Sequence, residues 1–210
     1  SKGSAWEDMR EGVTYVLANP PVFGLIVLSI IPFLFCMPLN TLLPAFNEEI
    51  LGGHADDLGF LVSSMGVGAI IGSFMMATMG DLKRKGAWLI ITCVGWGAVT
   101  SAFGMSESYV LAVAMIAVVG WFSSWNMSMN RGMMQMQVDN HMRGRVMSID
   151  MMSHGLMPLG VFPISWIAEN YDVGTALVVS GSIFIALTLL SVWFIPSVRT
   201  TDRGRMVDGA

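Results

Sequence analysis

The sequence is poor in charged residues. Asp, Glu, Lys and Arg together account for 12% of its 210 residues, whereas soluble domains contain roughly 25%. Hydrophobic residues account for 54%, and the mean hydropathy is +0.64. Because so few polar side chains cannot cover a soluble domain of this length, the composition indicates an integral membrane protein.

Several kinds of chemistry are also missing. The two cysteines, Cys36 and Cys93, lie in separate apolar runs away from other metal ligands, so we interpret them as small buried hydrophobes. The sequence has no nucleotide-binding loop, catalytic triad or zinc motif. We therefore predict no enzymatic activity, no cofactor and no metal site. The net charge of −4 and the lack of a basic surface give no reason to expect nucleic acid binding.

Methionine, in contrast, is abundant, with 19 residues. Thioethers are soft ligands for copper(I), but these methionines are scattered over several faces and no Cys–His site accompanies them. This distribution favours adaptable packing, or the wall of a cavity that accepts varied ligands.

Six apolar stretches are long enough to cross a bilayer, whose core of about 30 Å needs about 20 helical residues. We predict an all-α integral membrane fold, a six-transmembrane-helix bundle over residues 22–195, between a linker at 1–21 and a tail at 196–210. The predicted spans are 22–46, 59–79, 87–105, 109–137, 146–168 and 174–195.

Basic residues fall on alternate connections between these spans. Ten of the eleven Lys and Arg residues lie in the N-terminal segment, the second and fourth connections and the tail. The positive-inside rule makes this side cytoplasmic. We therefore expect both termini in the cytoplasm and the connections near Asp56, Glu107 and Asp172 outside. The eleventh base, Arg131, lies inside the fourth span.

The segment SAWEDMREGVTYVLANP before the first span reads as a separate amphipathic helix. Ser4 and Glu7 form a capping box, and Asn19-Pro20-Pro21 ends the helix. One apolar stripe is formed by Trp6, Met9, Val13, Val16 and Leu17. The helix is too short and too charged to span, so we expect it in the plane of the membrane surface; a plain linker helix is the alternative.

Five stretches together resemble the major facilitator superfamily. They are EDMREGVTYVLANP, MPLNTLLPAF, LGFLVSSMGVGAIIGS, GDLKRKG, and VDNHMRGRVMS followed by PLG. The resemblance is to the C-terminal six-helix half, in the bacterial branch of the enterobactin exporter and macrolide efflux proteins. Two motifs depart from the family pattern: Asp81-Leu82-Lys83-Arg84-Lys85-Gly86 lacks its first arginine and inner glycine, and Asp139-Asn140 replaces the usual proline-acid pair.

The resemblance implies twelve spans in two halves with a substrate cavity between them, of which this chain is the second half and the N-terminal half is missing. It implies a secondary active transporter in the bacterial inner membrane. We expect proton-coupled efflux, by antiport, of amphipathic small molecules of the drug or siderophore type. The alternatives are an importer or lipid flippase of the same fold, or a non-transporting membrane scaffold.

Two basic connections are candidates for a gate. Their residues are Asp81, Lys83, Arg84 and Lys85 in the second connection and Arg143 and Arg145 in the fourth. They either anchor the cytoplasmic face, which is a topological role, or form ion pairs that change between inward-open and outward-open states.

Arg131, Asp150 and His154 are the intramembrane polar group. At 1.5 Å per residue, Arg131 lies roughly 10 Å inside the fourth span, and Asp150 and His154 lie roughly 6 and 12 Å inside the fifth. Charges at such depth usually line a cavity or form pairs. We predict a proton-responsive cluster in which Asp150 faces Arg131, with either Asp150 or His154 as the proton carrier. In the alternative, Arg131 snorkels to the interface and Asp150 simply pairs with it.

Polar and aromatic residues in two spans are candidates for a substrate cavity. The first span contains Pro32, Pro38 and Pro44, which make it either flexible or statically kinked. The candidates are Asn40 and Thr41 in the first span and Trp121, Trp125, Asn126 and Asn130 in the fourth. Aromatics beside a few polar groups suit a large, partly apolar ligand, although the same aromatics could face lipid or the core. Ser64, Gly68 and Gly72 in the second span predict close helix packing.

Overall fold

A computed structural model describes residues 5–79 and 85–195 of the chain. These residues form α-helices and one 3₁₀ turn, without a strand, which confirms the all-α fold. The elements are α1 (Ala5–Ala18), α2 (Pro20–Phe35), α3 (Pro38–Glu49), α4 (Ala55–Thr78), α5 (Lys85–Gly104), α6 (Tyr109–Gln137), α7 (Arg143–Ser153), the 3₁₀ turn (His154–Leu156), α8 (Met157–Asn170) and α9 (Val173–Phe194).

Five helical segments in the described ranges are long and apolar enough to cross a membrane. They are Pro20–Glu49 taken through its break, Ala55–Thr78, Lys85–Gly104, Tyr109–Gln137 and Val173–Phe194. They coincide with five of the six predicted spans. The remaining one, 146–168, is divided between α7 and α8, neither of which is long enough alone. Both pieces pack against α2 within the same bundle, so a sixth, discontinuous span remains our prediction.

The first predicted span, 22–46, is two helices rather than one. Pro38 has no N–H to donate to the carbonyl of Leu34, so the helical ladder is interrupted there. The Ser180 hydroxyl of α9 donates to the carbonyl of Phe35. A neighbouring helix thus satisfies a backbone group at the break, as a lipid environment without water requires.

The fifth predicted span is interrupted for the same reason. Pro158 cannot donate to the carbonyl of His154, and the N–H of Met157 bonds to it instead, which tightens the helix into a 3₁₀ turn. The two breaks lie close together: a Cβ added to Gly160 of α8 would lie 1.9 Å from the carbonyl oxygen of Leu34. Only glycine allows the helices to approach this closely.

The other spans are continuous, and glycine brings α4 against α6. A Cβ at Gly68 would lie 1.8 Å from the Ala117 carbonyl oxygen, and one at Gly72 would lie 2.7 Å from that of Trp121. These contacts confirm the packing role predicted for the two glycines. Ser64, which shares their sequence spacing, donates to the Phe60 carbonyl of its own helix instead.

A second close pair, α5 with α9, was not predicted. A Cβ at Gly104 would lie 2.7 Å from the carbonyl oxygen of Gly174, and one at Gly181 would lie 2.5 Å from that of Gly97. Beside this contact, Cys36 and Cys93 are buried free thiols in an apolar cluster with Trp96 and Phe184. The interpretation of both cysteines as buried hydrophobes is confirmed.

Candidate functional site

A small polar recess lies where α2, α6 and the 3₁₀ turn meet. It brings together four predicted site residues, Asn126, Asn130, Arg131 and His154, and Ser29 of α2 also lines it. Its cavity volume is about 10 Å³, which is room for about one water molecule. A drug-sized ligand would therefore need space outside the recess.

Asp150 lies behind this recess and is buried, with a 2% exposed side chain. Its Oδ1 accepts a hydrogen bond of 2.6 Å from the Ser29 hydroxyl, and its Oδ2 lies 3.9 Å from Nε2 of His154. A carboxyl group buried in an apolar bundle is costly unless it is hydrogen-bonded or paired. Ser29 and His154 supply those interactions, so the carboxyl group joins α2 to the start of the fifth span.

His154 connects the buried carboxyl group to the recess. It is the first residue of the 3₁₀ turn, and its ring stacks on Phe33 of α2 with a centroid distance of 3.8 Å and an interplanar angle of 25°. One ring thus contacts Asp150, lines the recess and packs on the helix that precedes the first break. A movement of either broken span would move this ring.

Arg131 does not pair with Asp150, which corrects the predicted contact. In the described ranges, no carboxylate lies within 4.0 Å of its guanidinium. Asp150 turns instead toward Ser29, whereas Arg131 is exposed on the wall of the recess that His154 also lines. The predicted cluster is therefore an Asp150–His154 unit with a separate cation nearby.

The two asparagines of α6 hold the recess together. Asn126 donates to Sγ of Cys93 at 2.9 Å and to Oγ1 of Thr92 at 3.3 Å, which joins α6 to α5. Asn130 donates to the Leu25 carbonyl at 3.1 Å, which joins α6 to α2. Both side chains are buried, and their hydrogen bonds join α2, α5 and α6 beside the recess.

The predicted aromatic wall is part of the apolar core instead. Trp125 is 2% exposed and packs in a cluster with Leu25 and Met129, and half-buried Trp121 packs edge-to-face on it at 4.8 Å. Neither lines the recess. Helical spacing places both rings on one side of α6, but the same spacing suits a core and a cavity, and here the core is what forms.

Asn40 and Thr41 lie outside the recess as well. Both are exposed on α3, and Nδ2 of Asn40 lies 3.5 Å from Sδ of Met37, which does line the recess. They follow the first break, whereas the residues of the first span that line the recess all precede Pro38.

Arg145, in the first turn of α7, forms ion pairs with the N-terminal helix α1. Its guanidinium lies 2.6 Å from Oδ1 of Asp8 and 2.7 Å from Oε1 of Glu11. The hydrogen bond to Asp8, with both carboxylates, raises the pKa of Arg145. Tyr15 adds a hydrogen bond of 3.2 Å to Asp139. Within the described residues, Arg145 thus pairs with the segment before the bundle.

The other gate candidates have different surroundings. Arg143 donates at 3.0 Å to the carbonyl of Gln135, near the end of α6, and Nζ of Lys85 lies 3.5 Å from Sδ of Met136. Asp81, Lys83 and Arg84 lie outside the described residues. The gating role of this group stays a prediction.

The apolar stripe of α1 is divided between the bundle and the surface. Val16 is buried in the core, whereas Trp6, Val13 and Leu17 are exposed. A docked helix with an exposed apolar face supports the expectation of a helix lying in the membrane surface.

Sequence reasoning missed Ser29 and Phe33. Ser29 bonds to Asp150 and Phe33 stacks on His154; Ser29 lies three residues before Pro32 and Phe33 directly after it. A hydroxyl one turn from a proline in a membrane span was the available signal, since such groups often bond freed backbone or buried polar atoms.

Proline-broken helices beside long continuous ones, with Asp150 and His154 at the second break, define a multi-pass α-helical membrane protein. The chain belongs to the major facilitator superfamily: residues 3–206 match the model of its family described as transmembrane secretion effector. The family resemblance of the sequence is thereby confirmed.

Two groups of relatives carry functional names. The chain is 26% identical over 155 residues to the staphyloferrin A transporter of Staphylococcus aureus (strain NCTC 8325 / PS 47), covering 72% of this chain and 38% of that protein. It is 27% identical over 140 residues to the enterobactin exporter EntS of Escherichia coli O1:K1 / APEC, covering 67% and 33%. EntS of Shigella boydii serotype 18 (strain CDC 3083-94 / BS512) is 26% identical over 140 residues, with the same coverage. The chain thus spans well under half the length of these relatives.

Proposed function

We propose that this chain is the C-terminal half of a proton-coupled exporter of amphipathic small molecules. The named relatives, a staphyloferrin A transporter and enterobactin exporters, support a substrate of the siderophore or drug type. The transporter would lie in the bacterial inner membrane, with an N-terminal six-helix half as partner and both termini in the cytoplasm.

The observation that carries the proposal is the buried Asp150–His154 unit at the break of the fifth span. A protonated imidazole would draw toward the carboxylate 3.9 Å away, whereas a neutral one leaves Asp150 to Ser29. Asp150 and His154 face each other, and Arg131 of α6 lines the same recess as His154. Proton uptake by His154 would therefore change the contact between Ser29 of α2 and Asp150 of α7.

The breaks allow that contact to change the shape of the bundle. Alternating access requires one part of a transporter to move against another around a central site. His154 is stacked on Phe33, one residue after Pro32, and interrupted helices bend more easily than continuous ones. We propose that protonation of the unit sets the angle between α7 and α8. A scaffold protein would have no use for such a unit, so transport is the better supported function.

The test uses the full-length transporter in liposomes that contain a pH-sensitive dye. Enterobactin and the macrolide erythromycin serve as probes. We expect an imposed pH gradient to drive uptake of at least one probe with counterflow of protons, and a protonophore to abolish both. Uptake that is unaffected by the protonophore would contradict proton coupling, and flux in the same direction as protons would indicate the importer alternative.

A second arm tests the half-transporter assignment. Residues 1–210 alone, in the same liposomes, are expected to insert and yet fail to accumulate either probe, because the cavity wall from the other half is absent. Gradient-driven accumulation by this fragment alone would contradict the assignment.

A further inference from the structure

We infer that Arg131 and the serines beside it on α6 form a binding site for the carboxylate group of an amphipathic ligand. The inference rests on the proposed transport function, because it names the class of substrate that the cavity wall would take. It gives Arg131 a role separate from the proton-responsive unit.

The residues of this site share one face of α6. Ser123, Ser124, Met127, Ser128 and Arg131 have the spacing of neighbours on a helix surface. Together with Ala69 of α4 they line an open groove of about 330 Å³, which is within the size range of small-molecule sites. Arg131 also lines the water-sized recess, so the groove and the recess meet at its guanidinium.

The charge of the groove is of one sign. In the described part of the chain, Arg131 has no carboxylate within 4.0 Å, and the groove is lined by no acidic residue. The buried carboxyl group of Asp150 accepts a hydrogen bond from Ser29. A guanidinium without a paired carboxylate, in a groove without acids, selects an anionic partner.

Hydroxyl donors are available beside the cation. The Ser128 hydroxyl has no hydrogen-bond partner among the described residues, and it is exposed. The hydroxyls of Ser73 and Ser124 are 2.5 Å apart, so whichever accepts from the other keeps its own proton for a ligand. Ser123 is already committed to the Gly120 carbonyl. A carboxylate could thus take two guanidinium N–H groups and one or two serine hydroxyls.

The position of Arg131 argues for a cavity wall rather than for a lipid headgroup site. It lies roughly 10 Å from the end of α6 at 1.5 Å per residue, and it also lines the polar recess beside Asn130 and His154, as charged residues within membrane spans usually do. Met127 lies between Ser124 and Ser128 and offers a polarizable apolar contact. The groove therefore fits a ligand with a carboxylate at one end and an apolar body.

The test measures the preference of the full-length transporter for an acid over its neutral amide. The probes are 4-nitrobenzoate and 4-nitrobenzamide, which have nearly the same shape and quench tryptophan; Trp96 lines the adjoining recess. The protein is held in phosphatidylcholine nanodiscs without a pH gradient, so a failure of proton coupling would not affect the result. We expect the acid to bind about tenfold more tightly, the effect of one charge-assisted hydrogen-bonding group.

Variants assign the preference to Arg131. Arg131→Gln should bring the two affinities within about twofold of each other, and Arg131→Lys should keep a smaller preference because it keeps the charge. Arg10→Gln, at an exposed position on α1, is the charge-matched control and should behave as wild type. Absence of acid binding by the wild type at millimolar concentration, equal binding of acid and amide, or a preference unchanged by Arg131→Gln would overturn the inference. If Arg131→Gln fails to fold, a folded Arg131→Lys without preference would overturn it.

Nanodiscs that contain phosphatidylglycerol distinguish a substrate site from a lipid site. A general repulsion of the acid by the anionic bilayer would weaken acid binding equally in wild type and Arg131→Gln, so the ratio of their acid affinities should remain. If phosphatidylglycerol brings the acid affinity of the wild type down to that of Arg131→Gln, the headgroup occupies Arg131 and the inference is wrong.

Discussion

The α4–α6 pair and the first and fifth spans of this bundle are built in opposite ways. In α4 and α6 the helices run unbroken, and their backbones meet where an added Cβ at Gly68 or Gly120 would lie 1.8 or 2.0 Å from a carbonyl oxygen. The first and fifth spans are interrupted at Pro38 and Pro158. The broken pair, not the continuous one, contains the hydrogen bond from Ser29 to Asp150 and the ring stack between Phe33 and His154.

The difference teaches where rigidity and change are located. A backbone-to-backbone contact at glycine has no side chain that can rotate, so it holds α4 and α6 in one arrangement. A break, in contrast, leaves backbone carbonyls that other groups satisfy, and such contacts can be exchanged. We therefore assign the continuous pairs to the scaffold and the broken spans to the moving part.

The largest effect should come from filling the contact between the continuous helices. Gly68→Ala would drive its Cβ into the Ala117 carbonyl, and we expect a loss of at least about 1–3 kcal/mol in the free energy of unfolding. Gly66 is the matched control, since it lies in the same helix with no atom within 4 Å of an added Cβ. Gly66→Ala should be neutral or stabilising by up to about 1 kcal/mol.

Denaturation in mixed micelles, followed by tryptophan fluorescence, measures both variants. Equal stability of the two would show that the α4–α6 contact is adaptable and would remove the distinction between the two designs.

Closing the second break tests the same comparison from the other side. Pro158→Ala supplies the N–H that a regular helix would donate to the carbonyl of His154, in place of the 3₁₀ bond from Met157, and an interior proline costs a regular helix about 3 kcal/mol. We expect stability to rise by a part of that amount and gradient-driven transport by the full-length protein to fall, because α7 and α8 become one stiffer helix. Transport at the wild-type rate with the raised stability would show that the break is not part of the moving element.

Ser180→Ala should have a smaller effect, at the first break. It removes the hydroxyl that donates to the carbonyl of Phe35, and the loss of such a bond within a membrane bundle costs about 0.6–2 kcal/mol. Ser182→Ala is the control, because its exposed hydroxyl bonds only to Val178 in its own helix. The two serines should differ in thermal unfolding in detergent; if they do not, the freed carbonyl has another partner and the break is held differently.

The smallest effect is expected at the N-terminal cap of α9, which belongs neither to the α4–α6 pair nor to the broken spans. Asp172 accepts from the N–H of Thr175 at 2.7 Å, and hydrogen bonds from Thr175 lower the pKa of its carboxyl group. Asp172→Ala should cost about 0.5–2 kcal/mol at neutral pH. Because the folded pKa is below the ordinary value of about 3.9, this stability is fully present above that value and is lost as pH falls through the folded pKa.

Unfolding of the wild type and Asp172→Ala, measured between neutral pH and about pH 3, checks the sign. The two curves should converge at the acidic end. Glu107→Ala, at an exposed acid in the connection between α5 and α6, should show no such pH-dependent difference from wild type. A difference in unfolding free energy between wild type and Asp172→Ala that stays constant with pH would contradict a charge-dependent cap.

The long apolar helices could be predicted from the sequence, whereas the positions of the breaks could not. Length and hydropathy identify stretches such as 109–137, whose helix has those bounds. Pro32, Pro38 and Pro44 all interrupt the ladder in principle, and only tertiary partners such as Ser180 decide where the chain turns. Pro158 interrupts the ladder for the same reason, but in the sequence it stands out only as part of the PLG stretch of the family motif.

The candidate site was predicted in part, because sequence gives depth but not rotation. Counting residues places Arg131, Asp150 and His154 at similar depth, and the structure does bring Arg131 and His154 to one recess. Residue counting cannot show which way each helix is turned about its axis, so the predicted pairing of Arg131 with Asp150 was wrong. For the same reason the sequence left open whether Trp125 faces a cavity or the core, and the structure places it in the core.

The most direct test of the account is the number of protons moved per substrate by the full-length transporter with Asp150→Asn. The control is Asp56→Asn, which removes an exposed carboxylate from the first turn of α4. We expect Asp150→Asn to insert and fold, to bind substrate, and to lose the dependence of transport on the pH gradient, while Asp56→Asn keeps the wild-type stoichiometry. A folded Asp150→Asn protein with unchanged proton stoichiometry and an unchanged pH profile would contradict the claim that the broken spans carry the proton-responsive unit.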